Sequence, residues 1–129
     1  MNPYAKILSL LEALPPEERL LASLVRRTKV GEQECGCLFG TLMPKGGFPL
    51  EETLNSHSFR NAALSPGTPV SRWGHAVLNL DTLQLYPLVR KLELINDYFA
   101  PENNDYATCR DRYNYVCAGL RELVAIEEQ

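Results

Sequence analysis

The end of the chain carries a stripe of apolar and small residues whose spacing fits a long helix and little else. Successive members are separated by three, four, three, one, three, three and one positions, which keeps them on one side of a helix with 3.6 residues per turn. The stripe consists of Tyr106, Cys109, Tyr113, Val116, Cys117, Leu120, Leu123 and Val124. Because such a helix must bury that side, we predict a helical domain built around it, with Asn104 or Asp105 as the helix cap.

A second helix is predicted from Asp81 onward. Its apolar side follows the same periodicity, and Pro87 is compatible with it only in the first turn, because proline removes an interior hydrogen bond. That side consists of Leu85, Leu88, Val89, Leu92, Ile95 and Phe99. A polar break over residues 101–104 separates the two helices. We therefore predict a C-terminal helix pair over residues 81–127.

Residues 1–30 are predicted to form a helical hairpin. Asn2-Pro3 is typical of a helix start, and Pro15-Pro16 both ends the first helix and opens a second. The apolar residues of the two helices are Tyr4, Ile7, Leu8, Leu11, Leu14, Leu20, Leu21, Leu24 and Val25. Gly31 is the predicted end of the second helix.

The middle of the chain is less regular. The apolar run over residues 35–43 fits a buried strand or a short helix, and we favour the helix. Residues 50–64 are predicted to be helical, and the proline- and glycine-rich stretch over residues 65–73 is predicted to be a loop. At 129 residues the chain fits one domain, 1–129. The predicted fold is mainly α, an irregular bundle of about five helices with at most one or two short strands.

The charge balance argues against a nucleic-acid binder. The chain has 13 basic and 16 acidic side chains, for a net charge of -3, whereas duplex binders usually show a basic excess on one face. Residues 101–129 are the more acidic part, with three basic and six acidic side chains. The first residues do not have the pattern of a signal peptide, and no apolar run reaches the length of a bilayer span. We expect a cytoplasmic protein with no direct nucleic-acid contact and no membrane association.

One catalytic hypothesis is a thiol site. A nucleophilic cysteine needs a base and a third group that orients the base, and Cys37, His75 and Asp81 (or Asn79) supply these types in order. That order resembles papain-like and transglutaminase-like thiol hydrolases, with residues 73–77 as a strand that presents the histidine. We favour the alternative in which Cys37 is a core residue and His75 is hydrogen-bonded near a loop.

Metal and cofactor sites are not predicted. Four cysteines and two histidines could supply a zinc site, but the pair Cys35-x-Cys37 lacks a second close pair. The oxygen-rich break between the last two helices lacks the central glycine of a calcium loop. The sequence also contains no phosphate loop and no dinucleotide fingerprint. We therefore predict no metal and no cofactor.

A binding surface is the preferred functional prediction. Arg112 and Tyr115 lie off the apolar stripe of the last helix, and arginine and tyrosine are enriched among binding hot spots. Acidic side chains follow them along the same helix. The predicted binding residues are Arg112, Tyr115, Glu122, Glu127 and Glu128.

Two segments resemble small proteins encoded by phages and prophages. One is Cys37-Leu38-Phe39-Gly40-Thr41-Leu42, similar to their short cysteine-glycine-leucine element. The other is Leu94-Ile95-Asn96-Asp97, followed by a polar loop and a last amphipathic helix with Arg110 and Arg112 in its first turns. The resemblance implies no known chemistry. It implies an origin in a mobile element, where small non-enzymatic proteins often bind and block a host machine.

The sequence thus leads to three hypotheses of different classes. The first is a helical binding protein, a phage-encoded inhibitor that occupies a partner protein's surface, such as a host nucleoprotein complex used in defence. The second is the thiol hydrolase with Cys37 and His75. The third is a homodimeric interaction domain that associates through an exposed helix face.

Overall fold

The computed structural model describes residues 2–22, 28–30, 33–48, 56–97 and 105–127. These residues form six α-helices, one 3₁₀ turn and one two-stranded antiparallel sheet. In chain order the elements are α1 (Pro3–Glu12), the 3₁₀ turn (Pro16–Glu18), β1 (Thr28–Val30), β2 (Gln33–Cys35), α2 (Leu38–Lys45), α3 (Ser56–Leu64), α4 (Pro69–Leu78), α5 (Thr82–Asp97) and α6 (Tyr106–Glu127). The predicted mainly α bundle is confirmed.

The predicted C-terminal helix pair forms as α5 and α6, and the predicted positions 99 and 104 lie outside the described residues. Asp105 caps α6 by accepting a hydrogen bond from the Thr108 amide (2.8 Å), and Asp81 caps α5 by accepting one from the Gln84 amide (2.8 Å). Pro87 lies further inside α5 than the first turn to which we assigned it. Because proline has no amide hydrogen, Pro87 cannot donate to the Leu83 carbonyl. Leu83 is 78% exposed, so water can replace the missing donor.

The prediction of an N-terminal helical hairpin over residues 1–30 is wrong for its second half. Helix α1 forms as predicted, with the Asn2 side chain accepting from the Tyr4 amide (2.8 Å). After the 3₁₀ turn, however, residues 20–22 are not helical, and residues 28–30 belong to β1, which pairs with β2. The predicted apolar positions 24 and 25 lie outside the described residues.

The physical reason is visible in the backbone of residues 20–22. The Leu21 amide donates to the Cys109 carbonyl (3.1 Å), and the Ala22 amide donates to the Gly36 carbonyl (2.8 Å). Both amides therefore have partners on distant elements in place of intrahelical ones. All three residues are buried, and a run that is buried on every side has no helical face for periodicity to reveal.

In the middle of the chain, two predictions are confirmed and two are corrected. The apolar run forms the favoured helix as α2, and α3 covers the described part of residues 50–64. The predicted loop over 65–73 is wrong beyond residue 68, because α4 begins at Pro69, and residues 73–77 are helix instead of a strand. Thr68 starts α4 by accepting from the Ser71 amide (3.2 Å). Threonine followed by proline is also a helix start, since proline suits the first helical position.

The core lies between α1, α2, α4 and the C-terminal pair. The rings of Phe39 and Trp73 meet edge to face with centroids 5.8 Å apart. Gly74 lets α4 approach α5 closely, because a Cβ at this position would lie 2.5 Å from Cδ2 of Leu85. Within the described ranges, the helices are too short or too polar to cross a lipid bilayer.

Candidate functional site

Helix α6 has a buried side and an exposed side, and the exposed side forms the candidate site. Residues spaced four, three, four and four positions apart lie on one face of a helix. We define the outer face of α6 as the following residues, all of which are exposed: Asp111, Tyr115, Ala118, Glu122 and Ile126. Two of them, Tyr115 and Glu122, were predicted from the sequence.

The prediction that Arg112 belongs to a binding surface is wrong, because its side chain is buried. Its side chain is fully enclosed, with 0% exposure, and Nη1 donates to the Leu21 carbonyl at 3.1 Å. Position 112 follows Cys109 by three residues and precedes Val116 by four, and both of these are core residues. It is therefore at the border of the buried stripe, where the long arginine side chain reaches inward.

The two remaining predicted residues fall elsewhere. Glu127 is exposed but lies near α1: together with burial, which is the larger cause, its charge raises the pKa of the Tyr4 hydroxyl. Glu128 lies outside the described residues. Lys91 adds a further charge here, with Nζ 5.9 Å from the centre of the Tyr4 ring. The candidate site therefore narrows to the outer face of α6.

The outer face of α6 combines acidic side chains with exposed apolar and aromatic ones. Its charged members, Asp111 and Glu122, are both acidic. Tyr115 between them is 44% exposed, and Ile126 at the far end is 61% exposed. A tyrosine offers a broad apolar ring with a polar tip, which suits an interface that is apolar at its centre and wet at its rim.

The alternative catalytic residues are not arranged for nucleophilic attack. Cys37 is 3% exposed at the N-cap of α2, and burial raises the pKa of its thiol to about 12. The negative charge of Asp97 also raises that pKa. Reactive cysteines need the opposite environment, electropositive and open to water.

The proposed base and its orienting group are also placed differently from the hypothesis. His75 is exposed on α4, and the Asp81 carboxylate is occupied in capping α5. The strand expected to present the histidine is a helix. No group of three or more cysteine, histidine, aspartate or glutamate side chains suited to a metal occurs in the ranges that the structure describes.

A buried polar cluster is the feature that sequence reasoning missed. Arg60 of α3 donates from Nε to Oε2 of Glu93 at 2.9 Å, and Asn96 donates from Nδ2 to the Ala22 carbonyl at 3.0 Å. Glu93 and Asn96 are 3% and 1% exposed. Burial raises the pKa of Glu93 to about 7, against the lowering effect of Arg60. We call Arg60, Glu93, Asn96 and Arg112 the inner polar cluster.

The sequence did contain a signal for this cluster. Glu93 follows Val89 by four positions, and Asn96 follows Leu92 by four. Both polar residues therefore continue the apolar side of α5. A polar side chain at such a position is buried and must find a hydrogen-bond partner.

A recess of about 520 Å³ lies beside α6, separate from the residues that define its outer face. It lies between the 3₁₀ turn and the first turns of α6, and its polar lining includes Glu17, Arg19, Arg110 and Asn114. Arg19 is held by two hydrogen bonds at the end of α1, to the carbonyls of Leu14 and Glu12 (both 3.0 Å). The recess carries charges of both signs, which suits contact with polar side chains of a partner.

Comparisons of the chain with protein-family models, with curated proteins and with solved structures find no match.

Proposed function

We propose that this protein binds another protein through the outer face of α6 and acts by covering that partner's surface. The supporting observation is that Tyr115 stands exposed between two acidic side chains on a helix that is otherwise anchored in the core. The partner surface is basic, by charge complementarity. It belongs to a nucleoprotein complex of a bacterial host, in which the same basic residues otherwise hold nucleic acid.

The dimensions of the face are compatible with such a contact. Helix α6 has 22 residues, which at 1.5 Å per residue gives a length of about 33 Å. An exposed helix of this length can supply one side of a standard interface, in which a few aromatic anchors provide most of the affinity. Tyr115 would be the anchor, and Asp111 and Glu122 would accelerate association by electrostatic attraction.

The proposal can be tested by photo-crosslinking in a bacterial lysate cleared of nucleic acid by nuclease. A photoreactive amino acid replaces Tyr115 in one variant and the exposed Ser65, in the α3–α4 loop, in the control variant. We expect one discrete crosslinked protein with the residue-115 probe and none with the residue-65 probe. Identical patterns from both positions would rule out the outer face as the binding surface.

Charge reversal tests the chemistry of the partner. In the double variant Asp111→Lys/Glu122→Lys, we expect crosslinking of that protein to fall at least about tenfold, since like charges then face each other across the interface. Glu12→Lys, an exposed reversal on α1, is the matched control and should leave the yield unchanged. An unchanged yield in the double variant would exclude a basic partner surface.

The homodimer hypothesis is an outcome of the same experiment. If the crosslinked product has twice the mass of the chain, and the mass in solution rises with concentration, the outer face joins two copies. Two acidic faces would then be apposed, so this result would overturn the proposal of a basic partner.

A further inference from the structure

The inner polar cluster leaves two buried oxygen atoms without hydrogen-bond donors among the described residues. These atoms are Oε1 of Glu93 and Oδ1 of Asn96. Their side chains are almost completely enclosed, at 3% and 1% exposure. A buried acceptor without a donor destabilises the folded state, so two on one helix face require an explanation.

Glu93 and Asn96 are neighbours on one face of α5. Asn96 follows Glu93 by three positions, which places the side chains on the same face with Cβ atoms about 5–6 Å apart. The orientation of the Asn96 amide is set by its other contact, because only Nδ2 can donate to the Ala22 carbonyl. Oδ1 therefore points elsewhere as an acceptor. Two acceptors on one face cannot bond each other unless one of them carries a proton.

We propose that Glu93 is protonated on Oε1 in the folded protein and donates this hydrogen bond to Oδ1 of Asn96. One proton then satisfies both orphaned atoms. Oε2 continues to accept from Arg60 Nε, since a neutral carboxyl group keeps that acceptor. The proton also holds the Asn96 amide in the orientation that donates to the Ala22 carbonyl. The hydrogen bond between α5 and residues 20–22 therefore depends on protonation of Glu93.

The surrounding charges are compatible with a neutral Glu93. From α3 the Arg60 guanidinium favours the ionised form, but the Asp97 carboxylate on α5 opposes it. The Cys37 thiol at the start of α2 is uncharged at neutral pH, because burial raises its pKa to about 12. Arg112 on α6 acts on the neighbouring Asp97, lowering its pKa against the larger effect of burial. Burial is the dominant influence on both carboxyl groups, and it favours the proton.

The sign of the resulting pH dependence follows from linkage. The pKa of Glu93 is about 7 in the folded protein, compared with 4.5 for the ordinary group. Between these values the folded state holds a proton that the unfolded state has released, so stability falls as pH rises. We expect the folding equilibrium constant to fall by up to about 300-fold from below pH 4.5 to above pH 7.

Two measurements test the proposal in the full-length chain. The first is the ¹³C NMR titration of the Glu93 carboxyl carbon in the wild-type protein, which needs no variant to fold. A midpoint near 7 is expected, and the midpoint should fall in Asn96→Ala, where the acceptor is missing. A Glu93 midpoint at or below 4.5 would overturn the proposal, because it would show an ionised carboxylate with another donor on Oε1.

The second measurement is urea unfolding from pH 5 to pH 8. The Glu93→Gln variant keeps an N–H donor for Asn96 at every pH, so most of the pH dependence should disappear. Glu122→Gln, an exposed glutamate on α6, should retain the wild-type dependence. If Glu93→Gln retains it as well, the proton is not on Glu93.

Discussion

The two faces of α6 use the same residue types for different purposes. On the inner side, Arg112 and Tyr113 are buried and donate hydrogen bonds to backbone carbonyls of residues 21 and 11. In contrast, Tyr115 on the outer face and Arg110 beside the recess are exposed. One or two positions along the sequence move a side chain by about 100–200° around the helix. Residue type therefore does not distinguish a buried arginine or tyrosine from an exposed one. Angular position distinguishes the two tyrosines, and tertiary contacts distinguish the two arginines.

The largest expected difference in stability is between variants of the buried Arg112 and the exposed Arg110. Arg112→Ala should lower the free energy of unfolding by about 3 kcal/mol, because it leaves the Leu21 carbonyl without this donor and opens a cavity. Arg110→Ala should change it by less than about 0.5 kcal/mol, as for other exposed positions. Urea unfolding of both variants at one pH measures the contrast. Equal, small losses would show that Arg112 is not an inner-face residue.

The tyrosines provide a smaller test that removes only one oxygen atom. Tyr113→Phe deletes the hydroxyl that donates to the Leu11 carbonyl at 2.7 Å, and should cost about 1–1.5 kcal/mol. Tyr115→Phe should cost less than Tyr113→Phe, because Tyr115 is 44% exposed and water can replace contacts of its hydroxyl. Thermal unfolding of the two variants compares them directly. A larger loss at Tyr115 than at Tyr113 would reverse our assignment of the faces.

Thiol reactivity compares the faces without a large change in stability. Cys109 and Cys117 lie on the inner side of α6, and burial raises the pKa of Cys117. In a Cys35→Ser background, we expect Ala118→Cys on the outer face to react with a maleimide at least about tenfold faster than Cys37, Cys109 and Cys117. Mass spectrometry of the labelled peptides gives the rates. Rapid labelling of Cys37 would revive the thiol-hydrolase hypothesis.

The C-terminal helices could be predicted from the sequence. In the N-terminal part, only α1 could be predicted. Helices α5 and α6 each bury one side, so their periodicity is visible. Residues 20–22 bury every side, and their backbone partners are Cys109 and Gly36. Those partners are distant in sequence, and no local pattern identifies them. Pro69 is a different case, because Thr68-Pro69 is a local helix-start signal that we interpreted as part of a loop.

Helix geometry also predicted part of the candidate site, and it failed for residues whose surroundings depend on distant parts of the chain. Tyr115 and Glu122 are far enough from the buried stripe that their exposure follows from helix geometry. Arg112 is at the border of the stripe, where a long side chain can turn in either direction, and tertiary contacts decide which. Glu93 and Asn96 continue the apolar side of α5, but their partners Arg60 and Ala22 lie 33 and 74 residues away. A polar residue in a buried position can be recognised, but its partner cannot.

The ties between the inner side of α6 and the N-terminal part of the chain also have a consequence during synthesis. The hydrogen bonds from Arg112 and Tyr113 span 91 and 102 residues. At 5–20 residues per second, a ribosome needs roughly 5–20 seconds to make the donors after it has made the acceptors. Throughout that interval the apolar side of α1 and residues 20–22 lack these partners. The nascent chain therefore completes its core only when its last helix emerges, and a product that stops before residue 112 would be a substrate for chaperones and proteases.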